Sequence, residues 1–294
     1  MRPPSPAAQA LAGYAQFSFR SGDIVHAVYH AGDPGHPPLL LLPELAGVAP
    51  GLLLFAARLR AAGFQVYLPW LFGPLGRRAP LKNALRLCIS REFAYLRAGV
   101  SAPITRWLRE LAGEIGLRNG DCNVGAIGMC LTGGFAIPLI LNRKVTAAVA
   151  AQPSVPLSLL FAATGLGSGR GALNVSAEDI AAARTCLDTG AARLLAVRCR
   201  ADRICPHEKL ERLREEFPVG LETQEYGATQ SRNALGDRPH ALYTKEYRIA
   251  EEAPADHDSR QAFADLLRFL REYLPATPSG QQQAPARGDP GPQP

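Results

Sequence analysis

The sequence lacks five things that would each point to a particular class of protein. Residues 1–13 hold three prolines and no apolar stretch of signal-peptide length, so the chain is expected to be cytoplasmic, with reduced thiols. The six cysteines, at 88, 122, 130, 186, 199 and 205, include no C-x-x-C pair and do not make a disulfide framework. His207 stands near Cys205 without a second ligand pair at zinc spacing, so no metal and no other cofactor is expected. The uncharged stretches 122–142 and 145–169 are interrupted by glycine and proline, and a spanning helix needs ~20 mostly apolar residues, so no membrane segment is expected. The net charge, 32 − 26 = +6, is spread along the chain, and no Lys/Arg run is interleaved with aromatics, so no nucleic-acid partner is expected.

What is present suits a globular enzyme-sized domain. Of 294 residues, 47% are hydrophobic and 20% charged, a balance that fills a core. Runs at 24–31, 38–43, 64–70, 124–127, 145–150, 193–199 and 220–226 read as strands, the first as an edge strand. Helical spacing marks 49–62, 104–115, 131–141, 206–216 and 258–274, and a capping box at Ser176–Asp179 opens a helix to Leu187. This alternation predicts an α/β fold, a doubly wound, mostly parallel sheet with helices on both faces. Residues 1–13 and the Pro/Gln-rich stretch 275–294 are expected to be disordered around a domain spanning 14–274. Residues 153–171 read as an irregular insert over a pocket, and the loop 71–80, with Arg77 and Arg78, as a second pocket wall.

The most informative segment is Val124-Gly-Ala-Ile-Gly-Met-Cys-Leu-Thr-Gly-Gly-Phe135. An apolar strand runs through Gly128 to Cys130, and Gly133 and Gly134 lead into an apolar helix. A nucleophile on a sharp strand-to-helix turn needs such small neighbours. It also gains a helix N-terminus, which favours thiolate. The Leu131 amide would face a developing oxyanion. The competing reading is a core cysteine in a glycine-rich turn. Such an elbow expects an acid next in the chain and a histidine last, each just after a strand. Asp202 follows the strand 193–199, whereas Asp179 and Asp188 sit on or beside the preceding helix. His240 lies between the last strand and the last helix. His257, just before that helix, competes with it, and His207 reads as a solvated first-turn residue.

These residues resemble the dienelactone hydrolase family of the α/β-hydrolase superfamily over about residues 17–274. The resemblance rests on Gly-Met-Cys-Leu-Thr-Gly-Gly, Leu42-Pro-Glu44, Asp202 and Pro239-His-Ala241. It implies the α/β-hydrolase fold and a triad of Cys130, His240 and Asp202. It implies that Glu44 contacts the resting thiol and that the amides of Leu131 and Leu45 form the oxyanion hole. For the family's substrate-carboxylate arginines, Arg91 is the one candidate, with a surface ion pair as its competing role. The sequence departs from the family pattern at Thr132, where glycine is usual, and at Ala241-Leu242 after the histidine. A β-branched residue at 132 is expected to narrow the room for helix packing and alter the turn.

The activity implied is hydrolysis of a small-molecule carboxylic ester or lactone through a cysteine acyl-enzyme, by a monomer or homodimer. Three alternatives stay open: a hydrolase-fold protein that binds without turnover, a thioesterase or acyl transferase with the same triad, and a thiol redox sensor.

Overall fold

The computed structural model describes residues 11–78, 101–154, 171–173, 175–227, 240–247 and 258–275. Eight strands form one sheet: β1 (Ala15–Ser21), β2 (Ile24–Ala31), β3 (Pro38–Leu41), β4 (Gln65–Pro69), β5 (Val124–Met129), β6 (Val145–Ala151), β7 (Arg193–Cys199) and β8 (Leu221–Tyr226). Their order is β1-β2-β4-β3-β5-β6-β7-β8. The β1–β2 and β2–β4 pairs are antiparallel, and every other pair is parallel. The helices are α1 (Pro50–Ala61), α2 (Pro103–Arg118), the short α3 (Ala136–Leu139), α4 (Ala177–Asp188), α5 (His207–Glu216) and α6 (Asp258–Tyr273).

Period-two alternation sorts the central strands between two cores. Leu40, Ala126, Ala148, Leu194 and Ala196 face a cluster completed by Trp107, Leu108 and Leu111 of α2 and Leu187 of α4. Leu39, Leu41, Ile127, Val149, Leu195 and Val197 face the opposite cluster, closed by Phe55 and Leu59 of α1 and Leu266 and Phe269 of α6. Strands covered on both faces are mostly apolar, and β3 and β5, buried at every position, carry no polar side chain. The layered α/β arrangement expected from the sequence is the one observed.

Two elements differ from expectation. The segment at 24–31 is not an edge strand, because β1 covers it in a hairpin from Ala15↔His30 to Ser21↔Ile24. Phe17 and Phe19 of β1 turn inward, Phe19 meeting Trp107 edge-on with ring centroids 5.4 Å apart. The helix expected at 131–141 is instead a 3₁₀ turn over Cys130–Phe135 followed by one α-turn at Ala136–Leu139. Two consecutive glycines and Pro138 leave too little helix propensity for a longer α-helix. Most of the insert expected at 153–171 lies outside the described residues, as do residues 1–10 and 276–294 of the segments expected to be disordered, whereas residues 11–13 form a turn with Leu11 buried. No described helix is long and apolar enough to cross a membrane.

Candidate active site

The parallel strands carry the chemical groups at their C-terminal ends, where doubly wound sheets bind ligands. Glu44 follows β3, Cys130 follows β5, Ser154 follows β6 and Asp202 follows β7. Cys130 sits in the left-handed region with φ +54°. For a non-glycine residue that strain costs of order 1–3 kcal/mol and is held by its surroundings. The surroundings are tight: a Cβ on Gly128 would lie 2.2 Å from the Thr132 carbonyl oxygen, so residue 128 must be glycine for the turn to close.

Thr132 does not crowd this turn. It is fully buried, and its Oγ1 accepts from the Met129 amide at 3.1 Å. The same hydroxyl can donate to the Pro43 carbonyl at 3.2 Å or to the Met129 carbonyl at 3.1 Å. It thus bridges β5 to the segment leaving β3, just beyond the last direct ladder bond from the Leu42 amide to the Ile127 carbonyl at 2.8 Å. A residue type expected to disturb the elbow acts instead as its tie.

Asp202 and His240 come together across 38 positions of sequence. His240 Nδ1 and Asp202 Oδ2 are 2.6 Å apart. The other carboxylate oxygen accepts from the amides of Ile204 at 2.8 Å and Cys205 at 3.1 Å, an Asx-type turn that fixes the acid's plane. Asp202 is buried and His240 half-buried. The opposite ring nitrogen, Nε2, is buried without a hydrogen-bond partner among the described residues. Its charge is felt by the Cys130 sulfur, which makes its own contact to Ser154 Oγ at 3.3 Å. Ser154 is in turn anchored by its amide, which donates to the Cys130 carbonyl at 2.9 Å.

The electrostatics bind thiol and imidazole into one unit. Burial, the largest single influence, pushes the Cys130 thiol up, but the charge and side-chain interaction of His240 and the Ser154 contact together outweigh it, and the thiol lies below its ordinary value. Burial likewise opposes the imidazolium, yet Cys130 and Asp202 together hold His240 well above the usual histidine range. A thiolate–imidazolium pair is the form both shifts favour. Elsewhere burial wins: with Asp202 close by, it pushes the Cys199 thiol up to about 12 and raises Cys205 as well.

Glu44 lies beside the pair, and its Oε1 accepts from Thr244 Oγ1 at 2.9 Å. Burial raises its carboxyl above the usual range, partly offset by Thr244, His240 and Arg78. Its own charge raises the Cys130 thiol. A cleft of about 140 Å³ opens next to it, lined by Ala46, Leu54, Ala241, Thr244, Arg78 and Lys245 among others. The cleft reaches Glu44 rather than Cys130, so it is an approach to the centre and not the reacting volume itself.

The structure therefore brings Cys130, His240, Asp202 and Glu44 together. Leu131 is the second residue of the 3₁₀ turn, directly after Cys130, and Leu45 lies in the bend closed by the Gly47 amide on the Glu44 carbonyl. Asp179 lies away from the site, at the start of α4 with Ser101 and Ser176. His207 pairs with Glu211 and Glu225 on the surface of α5. Arg91 and His257 lie outside the described residues. Sequence reading missed Ser154, Thr244 and the role of Thr132. Ser154 had a usable signal, since it comes three residues after a strand that neighbours β5. Thr244 had only its place four residues beyond His240. Among the described residues no group of three or more His, Cys, Asp and Glu is placed to hold a metal ion.

No protein-family model and no curated protein matches the chain. Solved structures do. A dienelactone hydrolase-like promiscuous phosphotriesterase from metagenomic libraries superposes with TM-score 0.59 at 15% identity, covering 89% of this chain and 98% of its own. The dienelactone hydrolase of Anabaena variabilis gives 0.55 at 13% identity over 89% and 99%. The Pyrococcus furiosus esterase Pf2001 gives 0.53 at 13% identity over 91% and 95%. The chain has the α/β-hydrolase fold. Cys130, at φ +54°, stands at the C-terminal end of β5 where the chain bends into a helical turn.

Proposed function

We propose that the protein is a carboxylic ester or lactone hydrolase that works through a Cys130 acyl-enzyme. One observation carries the reading: a strained elbow thiol couples to a histidine whose far nitrogen is 2.6 Å from a buried aspartate. The Cys130 thiolate attacks the carbonyl carbon, forming a C–S bond as the carbonyl electron pair moves to oxygen. The amides of Leu131 and Leu45 stabilise that oxyanion. Collapse expels the alkoxide, which takes the proton from His240 Nε2. A lactone's leaving group stays tethered to the acyl chain. Neutral His240 then draws a proton from water, which attacks the thioester and releases the acid, and the thiolate–imidazolium pair is restored. Asp202 holds the ring and stabilises its charged form. Glu44 raises the resting thiol and tempers its reactivity until substrate arrives. The chemistry needs no metal or organic cofactor.

The test is turnover of p-nitrophenyl acetate by wild type and Cys130→Ala, with intact-mass detection of an acetylated enzyme in a quenched reaction. The reading expects loss of turnover and of the acetyl adduct in the variant, with the melting temperature retained. Full turnover by Cys130→Ala ends the assignment. The activity should rise with pH through the depressed thiol value and persist until the imidazolium loses its proton above its raised one, because the ion pair exists between the two.

A further inference from the structure

We propose that Arg198, a residue of β7 outside the triad, is the positioning residue for the acid loop and so for His240. The inference rests on the triad reading above. Arg198 is 3% exposed, at the second-last position of β7. Its Nε donates to the Cys205 carbonyl at 2.8 Å. Its Nη2 donates to the carbonyls of Arg200 at 3.1 Å and Asp202 at 3.3 Å. Its Nη1 pairs with Glu225, which sits directly opposite on β8. Three carbonyls of the loop at 200–205 thus converge on one guanidinium, while two amides of the same loop converge on the Asp202 carboxylate.

A strand-to-strand ion pair would account for the Glu225 contact alone, since β7 and β8 are already in register there. It does not account for three donors spent on the loop. A buried arginine is costly unless its charge is paired and its N–H groups are satisfied, and here the loop provides the satisfaction. The planar fork also matters, because a lysine ammonium could not reach the same three divergent carbonyls from one position. The charged and titratable groups around the fork are Asp202, Glu225, His207 at 3.0 Å from Glu225, Arg214 at 3.8 Å from Glu225, and the thiols of Cys199 and Cys205. Charge and geometry must therefore be separated by experiment.

The rate of iodoacetamide alkylation at Cys130, followed peptide by peptide against pH, reports the thiolate without any substrate. It is measured with p-nitrophenyl acetate kinetics and melting temperature for wild type, Arg198→Lys and Glu225→Gln. Arg198→Lys keeps the charge and loses the fork. It should raise the thiol pKa so that alkylation at a fixed lower pH slows by about tenfold. It should also cut kcat by about ten- to a hundredfold with little change in KM. Glu225→Gln discriminates by sign. Removing an anion would lower the thiol pKa by electrostatics alone, whereas a loosened guanidinium raises it. An Arg198→Lys profile identical to wild type, or a downward shift in Glu225→Gln, overturns the proposal. If Arg198→Lys does not fold, Glu225→Gln decides. If wild type fails to turn over esters while its alkylation profile still moves in the variants, the hydrolase reading fails and the positioning role stands.

Discussion

Replacing Thr132 with valine tests how the elbow is tied to the rest of the site. The side chains have nearly the same shape, so the substitution removes a hydroxyl from a fully buried position without opening a cavity. The Met129 amide loses its acceptor at 3.1 Å and the Pro43 carbonyl loses a donor at 3.2 Å. A buried group left unsatisfied costs about 1–3 kcal/mol. Because the buried hydroxyl's own desolvation is relieved, the lower part of that range is expected, about 1–2 kcal/mol. For domains of about 150–250 residues each kcal/mol moves the melting temperature by about 2–4 °C, so a fall of about 2–8 °C follows. The activity should fall further than stability implies. The Pro43 carbonyl precedes Glu44 and Leu45, and a displacement of about 1 Å at a catalytic group can cost about a hundredfold. Thr132→Ser keeps the hydroxyl and loses a methyl, so it should lose a similar amount of stability, about 0.5–1.5 kcal/mol, while keeping most of its kcat. Differential scanning calorimetry and p-nitrophenyl acetate kinetics on both variants make the comparison. A valine variant that matches wild type, or serine and valine variants that lose kcat equally, would refute the bridging role.

Three further outcomes follow from the same geometry. Asp202→Asn removes the charge that holds the imidazolium and presents the wrong group to Nδ1. kcat should fall by about 10³–10⁴, as such substitutions do in serine triads, with a near-native melting curve, and a loss under tenfold counts against the triad. Glu44→Gln removes an anion that raises the Cys130 thiol, so the midpoint of the alkylation–pH curve should move to lower pH, and a shift to higher pH contradicts the assignment of Glu44. At neutral pH iodoacetamide should modify Cys130 in the native protein and leave Cys199, whose thiol is pushed up to about 12, intact until guanidinium unfolds the chain. Peptide mapping that finds Cys199 modified first would contradict the contrast between the two thiols.

The sheet was legible because its central strands are buried on both faces and so are mostly apolar. The runs at 38–43 and 124–127 could be read as strands from hydrophobicity, and the strands observed are Pro38–Leu41 and Val124–Met129. β1 escaped because it is half-exposed, with Phe17 and Phe19 alternating against Gln16, Ser18 and Arg20, a pattern that is weak in seven residues. The short helical stretch after Cys130 was overextended for the opposite reason. Its apolar residues suggest a helix, but Gly133, Gly134 and Pro138 determine how the backbone bends.

At the site, the legible residues are those whose chemistry is tied to their own place in the chain. Cys130 sits among glycines that only a sharp turn requires, and Asp202 and His240 stand in chain order after strands. The residues that went unread act through partners that sequence does not connect. Thr132 looks like a disturbance until the Pro43 carbonyl, 89 positions earlier, is seen beside its hydroxyl. Thr244 gains a role only when Glu44, 200 positions away, comes within 2.9 Å. Arg198 was one strand residue among many, because its donors meet carbonyls, and every residue carries a carbonyl. Side-chain chemistry can mark a nucleophile, an acid or a base in one dimension. The groups that orient them use backbone atoms common to all residues, so only the folded chain shows which carbonyl an arginine will hold. The triad can therefore be tested by removing its own members, but its orientation has to be tested at residues such as Arg198 and Thr132, where a conservative change leaves the reacting groups in place and alters only the angle at which they meet.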